Sequence, residues 1–100
     1  MNMQQLMVQA QKMQREMKKA MDELHQKEFT LTKGGAVTIK MMGDKTISKI
    51  DISSEALNPD DKEMVEEMIV MAINELIEQI NAEEEKINSK VSGGMGGFGF

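Results

Sequence analysis

Apolar side chains in the first quarter of the chain recur at alternating spacings of three and four residues. Over three heptads these positions are Met3, Leu6, Ala10, Met13, Met17, Ala20 and Leu24. Such an a/d seam is typical of a helix that packs against another helix. Because neither Gly nor Pro interrupts residues 1–33, the pattern predicts a helix from about residue 2 to about residue 25, roughly 35 Å long.

Three short runs follow in which apolar and polar residues alternate. Their apolar positions are Phe29 and Leu31, then Val37, Ile39 and Met41, and then Ile50 and Ile52. Gly34-Gly35 and Gly43-Asp44-Lys45 separate the runs as turn signals, so the region is predicted to be an antiparallel meander of three strands. Ile47 falls on the opposite face of the third run, which predicts a β-bulge or a two-sided strand there.

A second helical pattern fills most of the remaining chain, after a short helical turn expected over residues 53–57. Asn58 is predicted to cap this helix and Pro59 to occupy its first position. Its apolar positions are Met64, Met68, Ile69, Ala72, Ile73, Leu76, Ile77, Ile80 and Ile87. The residues after about position 82 are mostly polar, so this end of the helix is expected to project from the body.

The order of these elements predicts an α+β fold of the form α-β-β-β-α. We expect a single domain over residues 1–91 and a flexible glycine-rich tail over residues 92–100. The sheet face that carries Thr38, Lys40 and Lys49 is expected either to be exposed to solvent or to pack against a second subunit. With only three aromatic residues in 100, the core is thin, and oligomerisation often supplements such a core.

Several classes of function find no support in the composition. The absence of cysteine excludes disulfides and thiolate metal sites. The chain has neither an apolar run of about 18 residues nor a signal-peptide pattern, so a cytoplasmic protein with no membrane partner is expected. His25 has no nucleophile beside it, and the acidic pairs lie on predicted helices rather than in a Ca²⁺-type loop. We therefore predict no enzyme activity, metal, cofactor or small-molecule substrate.

The net charge of −5 is unevenly distributed: residues 1–50 have a balance of +4 and residues 51–100 one of −9. The bases of the first helix are Lys12, Arg15, Lys18 and Lys19. Most of them fall opposite the apolar seam, among glutamines that could bind phosphates or base edges. On residue types alone, a solvated face with i,i+4 pairs such as Lys12–Glu16 and Lys19–Glu23 is favoured over a DNA contact.

A series of motifs gives the chain a resemblance to a known family. The motifs are, in order, LMVQAQKMQREM, GGAVTIKMMGD, ISKIDIS, DDKEMVEEMI, AINEL with its Asn74, and KVSGGMGG. In this order and spacing they resemble the YbaB/EbfC family of small bacterial nucleoid-associated proteins, over nearly all 100 residues.

The resemblance implies a homodimer that forms through the sheet region and binds duplex DNA between projecting helical arms, with weak sequence preference. Carried over to this chain, the DNA-binding residues are Lys12, Arg15, Lys18 and Lys19 of the first helix and Lys86 and Lys90 of the last. The chain departs from the pattern in the acidic residues of its last helix, namely Glu63, Glu66, Glu67, Glu75, Glu78 and Glu83 to Glu85. These acids predict either weak DNA binding or binding confined to the first helix.

Two hypotheses follow. The first is a non-enzymatic, nucleoid-associated homodimer that binds duplex DNA through basic arms. The alternative is a prefoldin-like holdase or protein-interaction module, whose methionine-rich surfaces would grip unfolded chains and which would not bind DNA.

Overall fold

The structure, a computed structural model, describes residues 2–95, with side chains over residues 2–90. Its helices and strands are α1 (Met3–Gln26), β1 (Glu28–Lys33), β2 (Val37–Met42), β3 (Ile47–Ile52) and α2 (Lys62–Met95), with short 3₁₀ turns at Ser54–Ala56 and Pro59–Asp61. The predicted α-β-β-β-α order and α+β class are confirmed.

The start of α1 is fixed by a reciprocal capping box. The backbone N–H of Gln5 donates to Asn2 Oδ1 at 2.7 Å, and the backbone N–H of Asn2 donates to Gln5 Oε1 at 3.3 Å. Each of these bonds satisfies a backbone donor that a helix start leaves without an intrahelical partner. The helix ends at Gln26, and the N–H of the following residue, Lys27, bonds to the Leu24 carbonyl. Both ends lie within one residue of the predicted bounds.

The three strands form an antiparallel sheet in the order β1-β2-β3. Because cross-strand partners point to the same face, Leu31 and Ile50 share the face of their partner Ile39. The register between β2 and β3 shifts at Lys40/Met41, so that Met41 pairs with Ile47. This shift confirms the predicted bulge and brings Ile47 to the apolar face.

The two hairpin turns use residues with positive φ. Gly34 and Gly35 have φ of 56° and 67°, where glycine carries no steric penalty, and Lys45 has φ of 70°. In the second turn, the hydroxyl and the backbone N–H of Thr46 both donate to the carboxylate of Asp44. These bonds, that of the hydroxyl most, lower the pKa of Asp44 below its ordinary value of 3.8.

The start of the last helical segment is confirmed in position, since Asn58 precedes it and Pro59 opens it, but its first turn differs from the predicted α-helix. Residues Pro59–Asp61 form a 3₁₀ turn, and the α-helix begins at Lys62. The side chain of Asn58 makes no capping bond and instead donates to the Glu55 carbonyl at 3.1 Å. The preceding 3₁₀ turn explains this, because it brings that carbonyl within reach of the amide. The predicted helical turn over residues 53–57 is confirmed as Ser54–Ala56.

The core lies between the apolar face of the sheet and α2. Its fully buried side chains include Val37, Ile39 and Met41 of β2 and Leu76 and Ile80 of α2. Helix α2 packs on β1 and β2, so β3 lies largely beyond its cover. The opposite sheet face is open in this chain, with Thr32 bonded to Thr38 and Lys40 paired with Glu28.

The C-terminal end of α1 meets the sheet through a close backbone contact. Gly43 donates its N–H to the Lys27 carbonyl at 2.9 Å, and a Cβ on Gly43 would lie 1.7 Å from the Leu24 carbonyl oxygen. Leu24 itself is buried in the core. The turn between β2 and β3 therefore requires glycine at this position, because any side chain would push α1 off the sheet.

Only part of the predicted seam of α1 is covered. Leu24 is buried and Met13, Met17 and Ala20 are half-buried, whereas Met3, Leu6 and Ala10 are exposed. Met13 and Ala20 line a groove with Ile87 of α2, and Ile87 is the last apolar residue of α2 whose side chain the structure describes. The predicted tail over residues 92–100 stays a prediction: α2 continues to Met95, and residues 96–100 lie outside the described part of the chain.

Candidate nucleic-acid interface

Helices α1 and α2 run antiparallel and extend beyond the sheet as a pair. Lys27, just after α1, approaches Glu83 of α2, whereas the middle of α1 shares a groove with Ile87 and Lys90. The molecule measures 69 × 25 × 14 Å along its principal axes. We call residues 3–20 of α1 and 85–95 of α2 the distal arm, and the rest of the chain the body.

All six bases predicted to bind DNA lie on the distal arm, and all six are exposed. Arg15, Lys18 and Lys19 border one shallow depression along α1, whose other end is lined by Asp22 and Glu23. Lys12 of α1 and Lys90 of α2 border the groove between the two helices, and Lys86 lies beside Lys90. The fold thus brings together bases that are more than 60 positions apart in the sequence.

Three acidic residues of α2 lie against lysines of the body. Lys33 pairs with Glu75, Lys45 with Glu84 at 3.4 Å and Lys27 with Glu83 at 4.0 Å. Glu83 and Glu84 are the acids at the foot of the arm, so the lysines beside them offset much of their charge. These pairs are partly exposed, so each contributes little to stability. Their effect is on the local charge, because each lysine offsets the negative charge of the acid beside it.

The six bases of the distal arm have no such partners. Within the part of the chain that the structure describes, no carboxylate lies within 4.0 Å of any of their charged nitrogens. The i,i+4 pairs Lys12–Glu16 and Lys19–Glu23, which the solvated-face interpretation expected, are therefore absent among the described residues. The bases remain available to an external anion.

The charge of the molecule consequently separates along its length. The distal arm holds six bases and only two acids, Glu16 and Glu85, a balance of +4; the rest of the chain holds six bases and fifteen acids, a balance of −9. An acidic protein can thus present a basic end, and nearby anions are drawn to that end over roughly the Debye length of about 10 Å at 0.1 M salt.

The groove between the arm helices has an apolar floor and charged edges. Met13, Ala20 and Ile87 line its floor, Lys12 and Lys90 its edge, and its volume is about 610 Å³. Nearer the tip, Gln4, Gln9 and the exposed Val8 surround a second concavity. Amide side chains there could supplement the lysines by hydrogen bonding to phosphates or base edges.

Other kinds of site find little support in the described residues. They include no group of three or more His, Asp or Glu side chains that could hold a metal ion. His25 is exposed in the last turn of α1, as expected for a solvated residue. None of the described helices has the length and apolar character that a membrane span requires.

Sequence reasoning missed two features of this surface. The pattern Asn-x-x-Gln at residues 2–5 is a capping-box signal that could have been recognised. The pairing of the α2 acids with body lysines had no signal in the sequence, because it depends on how α2 lies across the sheet.

Comparison with known proteins bears on what this basic surface does. The sequence profile of the YbaB/EbfC DNA-binding family matches residues 1–95. A nucleoid-associated protein of Agathobacter rectalis is 45% identical over 97 residues, covering 96% of this chain and 86% of the relative. A nucleoid-associated protein of Malacoplasma penetrans is 45% identical over 87 residues, which cover 87% of this chain and 93% of the relative. One of Clostridium novyi is 42% identical over 96 residues, which cover 95% of this chain and 84% of the relative.

The chain therefore belongs to the YbaB/EbfC DNA-binding family. This is a family of DNA-binding nucleoid-associated proteins and not of enzymes, which confirms the predicted family and the predicted lack of an enzymatic role.

Proposed function

We propose that this YbaB/EbfC family member binds duplex DNA through the distal arms of a homodimer. The observation that carries the proposal is the division of its twelve bases: four of the six in the body are paired with acids, while the six on the arm have no acidic partner among the described residues. The roles of Lys12, Arg15, Lys18, Lys19, Lys86 and Lys90 in DNA binding are part of the proposal.

Phosphate neutralisation is the proposed source of affinity. Each lysine or arginine that contacts a phosphate releases condensed counterions, and log K falls with log salt by about 0.9 per phosphate. If all six bases of one arm engage, the slope would be about −5. Because phosphate contacts carry no sequence information directly, we expect little discrimination between sequences.

The homodimer is proposed to form at the β3 edge of the sheet. Ile47 and Ile50 point to the same face as the buried Met41 and Ile39, yet they are 40% and 44% exposed because α2 packs on the other two strands. The free edge of β3 and these apolar side chains offer a second subunit both backbone hydrogen bonds and apolar surface to bury. Two arms in one particle would add avidity.

The proposed location is the bacterial nucleoid, within the cytoplasm. It rests on the names of the relatives, which are nucleoid-associated proteins, and on the proposed affinity for DNA without a sequence requirement.

A fluorescence-anisotropy titration with a labelled duplex across a salt series tests the proposal. The wild-type chain should bind at low salt with a steep negative slope. A variant with Lys12, Arg15, Lys18 and Lys19 changed to Glu should lose binding while its circular dichroism spectrum remains unchanged. Salt-independent binding, or full binding by this variant, would contradict the proposed contact.

The holdase-type function remains a second candidate because of one observation. The first turns of α1 expose Met3, Leu6 and Met7, and flexible methionine surfaces can accommodate varied apolar partners. The two candidates predict opposite results when the protein is mixed with an aggregating unfolded client and, separately, with DNA. A holdase would suppress the aggregation and leave the duplex unbound.

A further inference from the structure

Val8 is an apolar side chain on the polar face of α1. It is 57% exposed, and it lies about 160° around the helix from Leu6 of the apolar seam. It instead shares a stripe with Lys12, Arg15 and Lys19, since these four positions fall within about 60° of one another. Val8 therefore belongs to the surface that is proposed to contact DNA, and not to the surface that packs on α2.

Neither packing nor helix propensity accounts for a valine at this position. The side chain is exposed, so it adds nothing to the core, and valine is a weaker helix former than alanine or leucine. Single exposed apolar residues are nevertheless common on protein surfaces. The inference therefore depends on the side chains that surround Val8.

The surroundings of Val8 are amides and one base. Five side chains line a concavity with it: Asn2, Gln4, Gln5, Gln9 and Lys12. The amide of Gln5 is held in the capping box, whereas no hydrogen bond among the described residues uses the amide of Gln4 or Gln9. Two amides that can both donate and accept thus lie beside an exposed apolar group.

This combination matches the edge of an A·T base pair in the major groove. Thymine presents its C5-methyl group there, which apolar side chains contact, and adenine presents one donor and one acceptor, which suit the amide of a glutamine. An A·T pair therefore offers both an apolar and an amide-like partner to this part of α1. A G·C pair has no methyl group to offer.

We propose that the first turns of α1 enter the major groove of DNA and that Val8 packs against the C5-methyl groups of thymine. The groove is about 12 Å wide and admits an α-helix. Lys12 and Arg15 follow Val8 by about 6 Å and 10 Å along the helix axis, so they extend toward the phosphates that border the groove. The inference rests on the proposed DNA-binding function and names the base that the same surface prefers.

The expected preference is modest. Burial of one methyl group corresponds to about a fourfold gain in affinity. The phosphate contacts still supply most of the affinity, so the protein binds every sequence and favours thymine-containing sites only slightly.

Replacement of thymine by uracil tests the contact, because uracil differs only in lacking the C5-methyl group. Anisotropy titrations of the full chain would use two labelled A·T-rich duplexes of one sequence, one with thymine and the other with uracil. The wild-type chain should bind the thymine duplex about fourfold more tightly. Val8→Ser should abolish this difference without changing the salt slope, and Val8→Ile should preserve the difference.

Met7→Ser is the matched control. Met7 is 60% exposed, but it lies about 100° around the helix from Val8. This variant should therefore keep the preference for thymine. Because both positions are exposed, all variants should retain the circular dichroism spectrum of the wild-type chain.

Three results would overturn the inference. If the wild-type chain binds both duplexes equally with a steep salt slope, phosphate binding stands and the thymine contact fails. If Val8→Ser retains the preference, another residue recognises the methyl group; a simultaneous loss of self-association in sedimentation would assign Val8 to a contact between chains. If neither duplex is bound at low salt, the proposed function and this inference fail together.

Discussion

The two ends of the α1–α2 pair differ in both charge and packing. At the sheet end, Leu24 and Ile80 are buried, and three acids of α2 (Glu75, Glu83 and Glu84) lie beside lysines. At the distal end the stripe of α1 is open and the bases have no acidic partner among the described residues. One pair of helices thus contributes to the core near the sheet, and we propose that it recognises DNA away from it.

The largest expected effect comes from comparing two leucines of the same stripe. Leu24→Ala should reduce the free energy of unfolding by about 2–5 kcal/mol, because it empties a buried site. Leu6→Ala should cost less than about 1 kcal/mol, because Leu6 is 43% exposed. Urea denaturation of both variants measures the difference. Equal losses would mean that the tip of the arm is as well packed as its foot.

The next effect concerns the contact between α1 and the sheet. Gly43→Ala should destabilise the chain by about 1–3 kcal/mol, as overpacking does, because the added Cβ would meet the Leu24 carbonyl oxygen. Gly35→Ala is a useful comparison, since nothing lies within 4 Å of a Cβ there and only its positive φ opposes the change. A Gly43 variant that melts at the wild-type temperature would contradict the close contact.

Arm and body bases can be compared by charge-matched double variants. Lys86→Glu/Lys90→Glu should weaken DNA binding at every sequence and make the salt slope shallower by about two, one for each lost phosphate contact. Lys49→Glu/Lys62→Glu changes the net charge equally but alters exposed body lysines that have no salt bridge among the described residues. Anisotropy titrations that give the same loss for both variants would point to net charge rather than to the arm.

The smallest effect lies in the turn of the body between β2 and β3. An NMR titration should place the pKa of Asp44 below 3.8, and Thr46→Val should raise it by removing the hydroxyl donor. Because folding lowers the pKa of Asp44, its ionised carboxylate stabilises the folded state at pH values above the pKa of the unfolded chain. This stabilisation is lost as the pH falls through the pKa of Asp44 in the folded state. Identical titration curves in the two proteins would contradict the role of the Thr46 hydroxyl.

The sequence alone predicted most of the fold, because each element has its own local signal. The apolar seam of α1 and the alternation in the strands were sufficient to predict the element order. The position of Ile47, out of phase with Ile50 and Ile52, was sufficient to predict the bulge. The prediction failed where tertiary contacts decide the outcome. The exposure of Leu6 depends on how α2 lies against α1, and the side chain of Asn58 bonds to the 3₁₀ turn that precedes it rather than to the helix that follows.

For the candidate site, the sequence supplied the bases but not their surroundings. Lys12 and Lys90 meet only because the helices are antiparallel in this register. The acids of α2 predicted weak or restricted DNA binding when counted along the sequence. In the structure, Glu75, Glu83 and Glu84 lie beside body lysines, so the count overstates the acidity that faces the arm.

The most direct test of the account is to locate the DNA contact itself by NMR. Backbone amide signals of the ¹⁵N-labelled chain would be followed while a short duplex is added at low salt. The account predicts shifts concentrated in residues 8–20 and 85–90, which disappear when salt is raised. Shifts centred on the sheet or on the acidic first half of α2, or no shifts at low salt, would contradict the claim that the distal arm is the DNA-binding surface.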